Sequence, residues 1–98
     1  MPVYYVVESK MINPESYQQY IAQARPIIAH YGGRYLAVSG DVLPLDGGWT
    51  PERIVIIEFP SEDHVQQWLN SPEYRAIVPL REAGVAVRAV LVPGFDTH

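Results

Sequence analysis

Four segments of the chain are rich in β-branched and aromatic residues, and the two longer stretches between them repeat apolar residues at helical spacing. The predicted strands are residues 3–9, 34–45, 53–59 and 85–92. With the helices, the order becomes β-α-β-β-α-β. This order predicts an α+β, ferredoxin-like fold, in which an antiparallel sheet carries two helices on one face. Residues 1–94 are predicted to form a single domain and residues 95–98 a loose tail.

The first helix has residues suited to both of its ends. Asn13 is the predicted N-cap, and Pro14 is the first helical residue, where a missing N–H does no harm. Gly32-Gly33 predicts the C-terminal end. Pro26 interrupts the pattern, yet the apolar face continues to Tyr31, so we expect a kink at Pro26 rather than an end.

The middle of the chain carries further local signals. Ser61 is the predicted N-cap of the second helix, and Ser71-Pro72-Glu73 predicts a restart within it. Ser39-Gly40-Asp41 predicts a β-bulge in the second strand. Trp49-Thr50-Pro51, in the loop before the third strand, is expected to pack over the rim of the sheet or against a partner.

The third and fourth strands are apolar on both of their faces, as Val55-Ile56-Ile57 and Ala89-Val90-Leu91-Val92 show. A sheet with one face in water would alternate apolar and polar residues instead. The helices can cover only one face of this sheet. We therefore predict that the other face packs against a second copy of the chain, giving a homodimer.

Composition limits the classes of partner and compartment. The net charge is -4, whereas nucleic-acid-binding proteins need a basic surface. The chain has no cysteine, which fits a reducing compartment, and its first residues lack the basic segment of a signal peptide. No apolar run approaches the roughly 20 residues that cross a bilayer. We therefore expect a cytoplasmic protein that binds neither nucleic acid nor membranes.

Several short motifs carry a family resemblance. They are Asn13-Pro14-Glu15 with Tyr17 and Tyr20, Tyr31-Gly32-Gly33-Arg34-Tyr35-Leu36, Trp49-x-Pro51-x-Arg53, Glu58-Phe59-Pro60-Ser61 and Trp68-x-Asn70-Ser71-Pro72-Glu73-Tyr74. With them the chain resembles, from end to end, a bacterial family of unknown function, numbered thirteen-thirty, in the dimeric α+β barrel superfamily. The resemblance implies the fold and the dimer. It implies almost nothing about chemistry, because the superfamily contains monooxygenases, isomerases, haem-degrading enzymes and unassigned proteins.

Chain direction predicts that four ionisable side chains gather at one end of the molecule. In an antiparallel sheet of this order, the starts of the first two strands lie beside the ends of the last two. The first helix ends there and the second begins there. The four side chains are His30, Arg34, Glu58 and His64. Tyr4, Tyr35 and Trp68 are candidate aromatic walls of a pocket beside them.

These residues suggest a site for a small molecule. The candidate acid–base residues are Glu58, His64 and His30. The candidate ligand-binding residues are Arg34, Trp68 and Tyr35. A structural alternative stays open, in which Arg34 and Glu58 form only a cross-strand ion pair and the histidines are solvated helix-end residues.

No cofactor or metal is expected. The three histidines are poorly spaced for a metal site. Haem-degrading members of the superfamily combine Asn, Trp and His, but here only His98 follows Trp68, so that chemistry is not carried over to Asn13 and Trp68. Two classes of function remain open. One is a cofactor-independent binder of, or enzyme for, a small carboxylate or aromatic compound, and the other is a dimeric interaction module without pocket chemistry.

Overall fold

The computed structural model describes residues 1–95 and contains four strands and three helices. The strands are β1 (Val3–Met11), β2 (Arg34–Ser39), β3 (Arg53–Phe59) and β4 (Val85–Pro93), and the helices are α1 (Pro14–His30), α2 (Glu62–Asn70) and α3 (Pro72–Gly84). The sheet is antiparallel with the order β2-β3-β1-β4, which confirms the predicted ferredoxin-like topology. Apart from the exposed Phe95, the tail predicted for 95–98 lies outside the described residues.

The predicted caps define α1. The Asn13 side chain accepts hydrogen bonds from the backbone N–H groups of Glu15 at 3.0 Å and Ser16 at 3.3 Å. At the other end, Gly32 has a φ of +90°, and Gly33 N–H donates to the Ile28 carbonyl at 2.8 Å, which is the bonding of a Schellman cap. The helix continues through Pro26, as predicted.

The second helical segment is two helices rather than one, because Ser71 interrupts it. Ser71 has an extended backbone, the conformation that a following proline favours. Its hydroxyl donates to the Trp68 carbonyl at 2.8 Å and accepts from Tyr74 N–H at 3.2 Å. One side chain therefore ends α2 and begins α3, which confirms the predicted restart and gives three helices where the overall fold pattern had two.

Two predictions for β2 are wrong. The strand ends at Ser39 instead of residue 45, so the apolar residues that follow belong to an irregular loop. The bulge lies between Tyr35 and Ala37, not at 39–41. Apolar composition extended the prediction past the end of the strand, and the Ser-Gly-Asp sequence marks the start of the loop.

The core lies between the sheet and the helices. Alternate residues of β1 and β3, among them Val7, Val55 and Ile57, are buried on the face that the helices cover. We call the other side of the sheet the open face. The turn from α3 into β4 closes tightly on α1, because the Gly84 carbonyl accepts from Ile12 N–H and from the next backbone N–H at 2.9 and 3.0 Å.

No helix within residues 1–95 combines the length and apolar character needed to cross a membrane.

Candidate functional site

Arg34 and Glu58 are direct cross-strand partners at the edge of the sheet, as the ion-pair alternative required. An Arg34 guanidinium nitrogen lies 2.9 Å from Glu58 Oε1. The Arg34 side chain is 72% exposed and that of Glu58 is 25% exposed, so solvent screens the pair and it contributes little to stability. Tyr4 also pairs with Glu58, on its other side in β1. Since direct cross-strand partners share a face, all three side chains lie on the open face.

The two histidines lie at the predicted end of the molecule, where α1 ends and α2 begins. His30 is exposed in the last turn of α1, with its ring edge-to-face against Tyr31 at 5.1 Å. His64 is half-buried, and its Nδ1 lies 2.7 Å from Oγ of the α2 N-cap, Ser61. Its ring also lies close to Gly32, just beyond the end of α1.

Tyr35 and Trp68 lie on the opposite side of the sheet from Arg34 and Glu58. Tyr35 pairs with the buried Ile57, and Trp68 is 1% exposed beneath the helices. The ion pair therefore shares one end of the molecule with the histidines but not one pocket with Tyr35 and Trp68. The expected single cluster is divided by the sheet, because Arg34 and Tyr35 are successive residues of β2 and such residues point to opposite faces.

A cavity of about 50 Å³ lies between the sheet and the helices. Tyr35 and Trp68 are both in its wall, which is mostly aromatic. Its aromatic residues are Tyr5, Tyr17, Tyr20, Tyr35, Trp68 and Tyr74. Trp68 is held by three rings, at centroid distances of 5.1 Å from Tyr5, 5.3 Å from Phe59 and 4.7 Å from Tyr74. The wall is therefore well fixed.

Three residues in the wall have a buried polar atom without a hydrogen-bond partner in the protein. The atoms are Ser9 Oγ, Trp68 Nε1 and Arg81 Nε. Such atoms are rare in native interiors and call for an explanation, such as a bound ligand or water. Sequence reasoning named neither Ser9 nor Arg81. The sequence nevertheless contains a spacing signal for each residue. Ser9 follows Tyr5 and Val7 at alternate positions, so the three residues share one face of the strand. Arg81 follows Tyr74 by seven residues, so the two share one face of the helix.

The tyrosines of the cavity are hydrogen-bonding groups rather than bases. The hydroxyls of Tyr20 and Tyr74 are 2.8 Å apart, and an Arg81 nitrogen donates to Tyr74 at 3.4 Å. Burial raises the pKa of Tyr5 and of Tyr20 above the ordinary value, and it raises the pKa of Tyr35 to about 12. All three phenols are therefore protonated near neutral pH. The cavity wall contains no Asp, Glu or His.

The open face carries a second polar cluster, which ties the loop before β3 to the sheet. Trp49 Nε1 donates to Glu8 at 2.9 Å, and Arg88 Nε donates to the same carboxylate at 2.8 Å. The Trp49 hydrogen bond, followed by Arg88, lowers the pKa of Glu8 below its ordinary value. Trp49 thus packs over the open face of the sheet. Among residues 1–95, no group of three or more His, Asp or Glu side chains is arranged to hold a metal.

Solved structures with the same fold include proteins of known and unknown activity. A protein of unknown function from Rhodopseudomonas palustris aligns with a TM-score of 0.81 at 21% identity, over 97% of this chain and 83% of that one. SnoaB, a cofactor-independent oxygenase from Streptomyces nogalater, aligns with a TM-score of 0.71 at 16% identity, over 98% and 95%. A dimeric ferredoxin-like protein of unknown function from Thermobifida fusca gives 0.64 at 21% identity, over 93% and 89%.

Sequence comparison gives the family. No curated protein has a significant sequence match to this chain. The family model described as a domain of unknown function, DUF1330, matches residues 2–95, which is nearly the whole chain. The chain therefore belongs to the DUF1330 family.

Proposed function

We propose that this protein binds a small organic molecule in the cavity between its sheet and its helices, without a metal or cofactor. Tyr35 and Trp68 keep their predicted role as ligand-binding residues, now as walls of that cavity. Arg34, Glu58, His30 and His64 lie outside it, and a role for them in binding or proton transfer stays a prediction. The cytoplasm remains the proposed compartment.

One observation carries the proposal: of the four buried side-chain atoms without a hydrogen-bond partner in residues 1–95, three belong to the wall of one cavity, and the fourth is Arg53 Nε. A packing defect in a core is lined by apolar atoms and stays dry. Here Ser9 and Trp68 are 3% and 1% exposed, so water at the protein surface does not satisfy them. Leaving such groups unpaired destabilises a protein by about 1–3 kcal/mol each. A bound molecule that pairs with them removes this penalty.

The similarity to SnoaB supports a small-molecule role through fold analogy alone. That protein is a cofactor-independent oxygenase. In this chain the cavity wall contains no Asp, Glu or His, and burial raises the pKa of its Tyr5, Tyr20 and Tyr35. A reaction here would rely on hydrogen-bond donors that stabilise negative charge on the substrate, as in an oxyanion hole.

The second part of the proposal is a homodimer formed through the open face. Val90, Val92 and Leu36 are exposed there or at its edge, and Ile54 and Ile56 continue the apolar surface inward. Exposed apolar residues grouped on one face of a sheet are typical of a protein–protein interface. The Thermobifida fusca protein is dimeric, which agrees with this arrangement.

A dimeric interaction module without pocket chemistry is the second candidate function. The apolar open face favours it, since a module needs that surface and no cavity. The first candidate function requires that the wild-type cavity bind a small molecule, and the second does not.

Native mass spectrometry of the protein, purified without denaturation, separates them. We expect a dimer carrying a small molecule of defined mass on each protomer. A Trp68→Ala variant should lose that molecule, and Trp49→Ala, which changes a tryptophan of the open face, should keep it. A wild-type protein free of any small molecule, whose stability no compound in a thermal-shift screen changes, would leave the interaction module as the function.

A further inference from the structure

Two of the three unpaired atoms of the cavity can only donate a hydrogen bond, which constrains the chemistry of what it binds. An indole N–H donates a hydrogen bond and accepts none, and the same holds for a guanidinium group. Trp68 Nε1 and Arg81 Nε therefore need a partner with acceptor oxygens. Ser9 Oγ can donate to the same partner. A ligand that presents mainly donors, such as an amine, would leave Trp68 Nε1 and Arg81 Nε unsatisfied.

The charge around the cavity also favours a ligand with acceptor oxygens. Within residues 1–95 the salt bridges are Arg34–Glu58 and Arg88–Glu8, and both lie on the open face. Arg81 therefore has no carboxylate partner in the described part of the chain. Arg53 has none either; it is the cross-strand partner of Ser9, and its guanidinium lies 5.3 Å from the centre of the Tyr17 ring. Arg53 lies outside the cavity wall, so Arg81 is the partly buried cation of this cavity, and it favours an anion there.

The volume of the cavity decides how large the enclosed part of the ligand is. An engineered protein cavity of about 150 Å³ holds one benzene molecule. The cavity here is about 50 Å³, a third of that size. It accommodates a carboxylate with one or two carbon atoms, while an aromatic ring fits only if the wall moves. The sequence left a small carboxylate and an aromatic compound as possible ligands, and the volume of the cavity favours the carboxylate.

We infer that the cavity binds the carboxylate group of a small organic acid, with Arg81, Trp68 and Ser9 as its hydrogen-bond donors. This inference rests on the proposed small-molecule function and adds the chemical class of the ligand. The carboxylate oxygens accept from the guanidinium and the indole, and the short apolar part of the acid contacts the tyrosine rings. Bonds from charged donors to carboxylates are about twice as strong as neutral ones, so Arg81 contributes most to affinity.

The two tryptophans of the chain supply a direct assay. In a ¹H–¹⁵N spectrum each gives one indole signal, and a Trp49→Phe variant assigns them. Trp68 reports on the cavity, and Trp49, which bonds to Glu8 on the open face, is the internal control. The probes are sodium acetate and acetamide, which has nearly the same shape but no charge. Sodium chloride at equal ionic strength corrects for salt.

We expect acetate to move the Trp68 signal in a saturable way, to leave Trp49 in place, and to bind about tenfold or more tightly than acetamide. Arg81→Gln should weaken acetate binding about tenfold or more, because it removes a charged donor. Arg75→Gln, an exposed arginine on the same helix, should not change it. If Arg81→Gln does not fold, Ser9→Ala takes its place, with a smaller expected loss.

The outcomes of these titrations separate the carboxylate inference from the proposed small-molecule function. Equal binding of acetate and acetamide would overturn the carboxylate inference and leave the proposed function standing. Acetate binding that Arg81→Gln or its substitute does not weaken would overturn the donor assignment. A Trp68 signal that neither probe moves, together with purified protein that carries no small molecule, would overturn both.

Discussion

Ser9→Ala is expected to stabilise the ligand-free protein, although it removes a polar side chain from the core. Ser9 is 3% exposed and its hydroxyl has no partner. An unsatisfied buried hydroxyl destabilises the folded state by about 1–3 kcal/mol, because its bonds to water are lost on folding. Alanine removes that penalty. The space left by the oxygen adjoins an existing cavity, so little packing is lost.

We expect a net gain of about 1 kcal/mol in the free energy of unfolding, measured by urea denaturation in a buffer free of carboxylates. With a slope of about 2 kcal/mol per molar urea, the midpoint rises by about 0.5 M. The melting temperature rises by about 4–8 °C. Adding acetate should narrow the difference, because bound ligand stabilises the wild type more than the variant.

Ser71→Ala is the matched control, since Ser71 is the other buried serine and is 4% exposed. Its hydroxyl is fully used, as a donor to Trp68 and as the N-cap acceptor of α3. Losing an N-cap destabilises a protein by about 1 kcal/mol, so this variant should change stability in the opposite direction. If Ser9→Ala destabilises the ligand-free protein as much as Ser71→Ala does, then Ser9 has a partner in the folded protein and the reasoning is wrong.

Three further changes test the fold, the interface and the electrostatics. Ile56→Asp puts a charge on the open face of a central strand, so sedimentation should show monomers. Gly84→Ala should destabilise the protein by about 1–3 kcal/mol in urea, because a Cβ there would lie 2.6 Å from Tyr17 N. The pKa of Glu8 is lower in the folded protein than its ordinary value of 4.5. The ionised Glu8 carboxylate therefore stabilises the fold at a pH above 4.5, and this stabilisation is lost as the pH falls through the lower pKa of the folded state. The Trp49 indole signal should move over that acidic range.

Each of these predictions has its own contrary result. Gln66→Asp, on the exposed side of α2, should leave the dimer intact, and a dimeric Ile56→Asp would show that the open face is not the interface. Gly40→Ala should be tolerated, since its nearest neighbour is 4.0 Å away; equal losses at Gly40 and Gly84 would refute the close-approach argument. A Trp49 signal that moves equally in Glu8→Gln would show that another group is titrating.

The parts of the fold that local chemistry determines could be predicted from the sequence. Asn13, Ser61 and Gly32 each act within a few residues of themselves, so the ends of the helices followed from side-chain type. The end of β2 did not, because the apolar residues at 42–45 look like a continuing strand but have no partner in the sheet. Pairing is a long-range property that composition does not reveal.

The site was predictable only in part, for the same reason. Chain direction correctly placed His64 near the end of α1 and paired Arg34 with Glu58. Chain direction does not determine which face of the sheet each side chain occupies, because the face depends on the register of the strands. Arg81 was missed because an arginine on an apolar helix face is usually read as exposed. Its burial beside Tyr74 depends on how α1 and α3 pack.

The most direct test of the central claim is a high-resolution crystal structure of the protein grown in the presence of acetate. We expect carboxylate density inside the cavity, with oxygens within hydrogen-bonding distance of Ser9 Oγ, Trp68 Nε1 and the Arg81 guanidinium. A cavity that holds only ordered waters, or one that is closed with these three groups paired to other protein atoms, would contradict it.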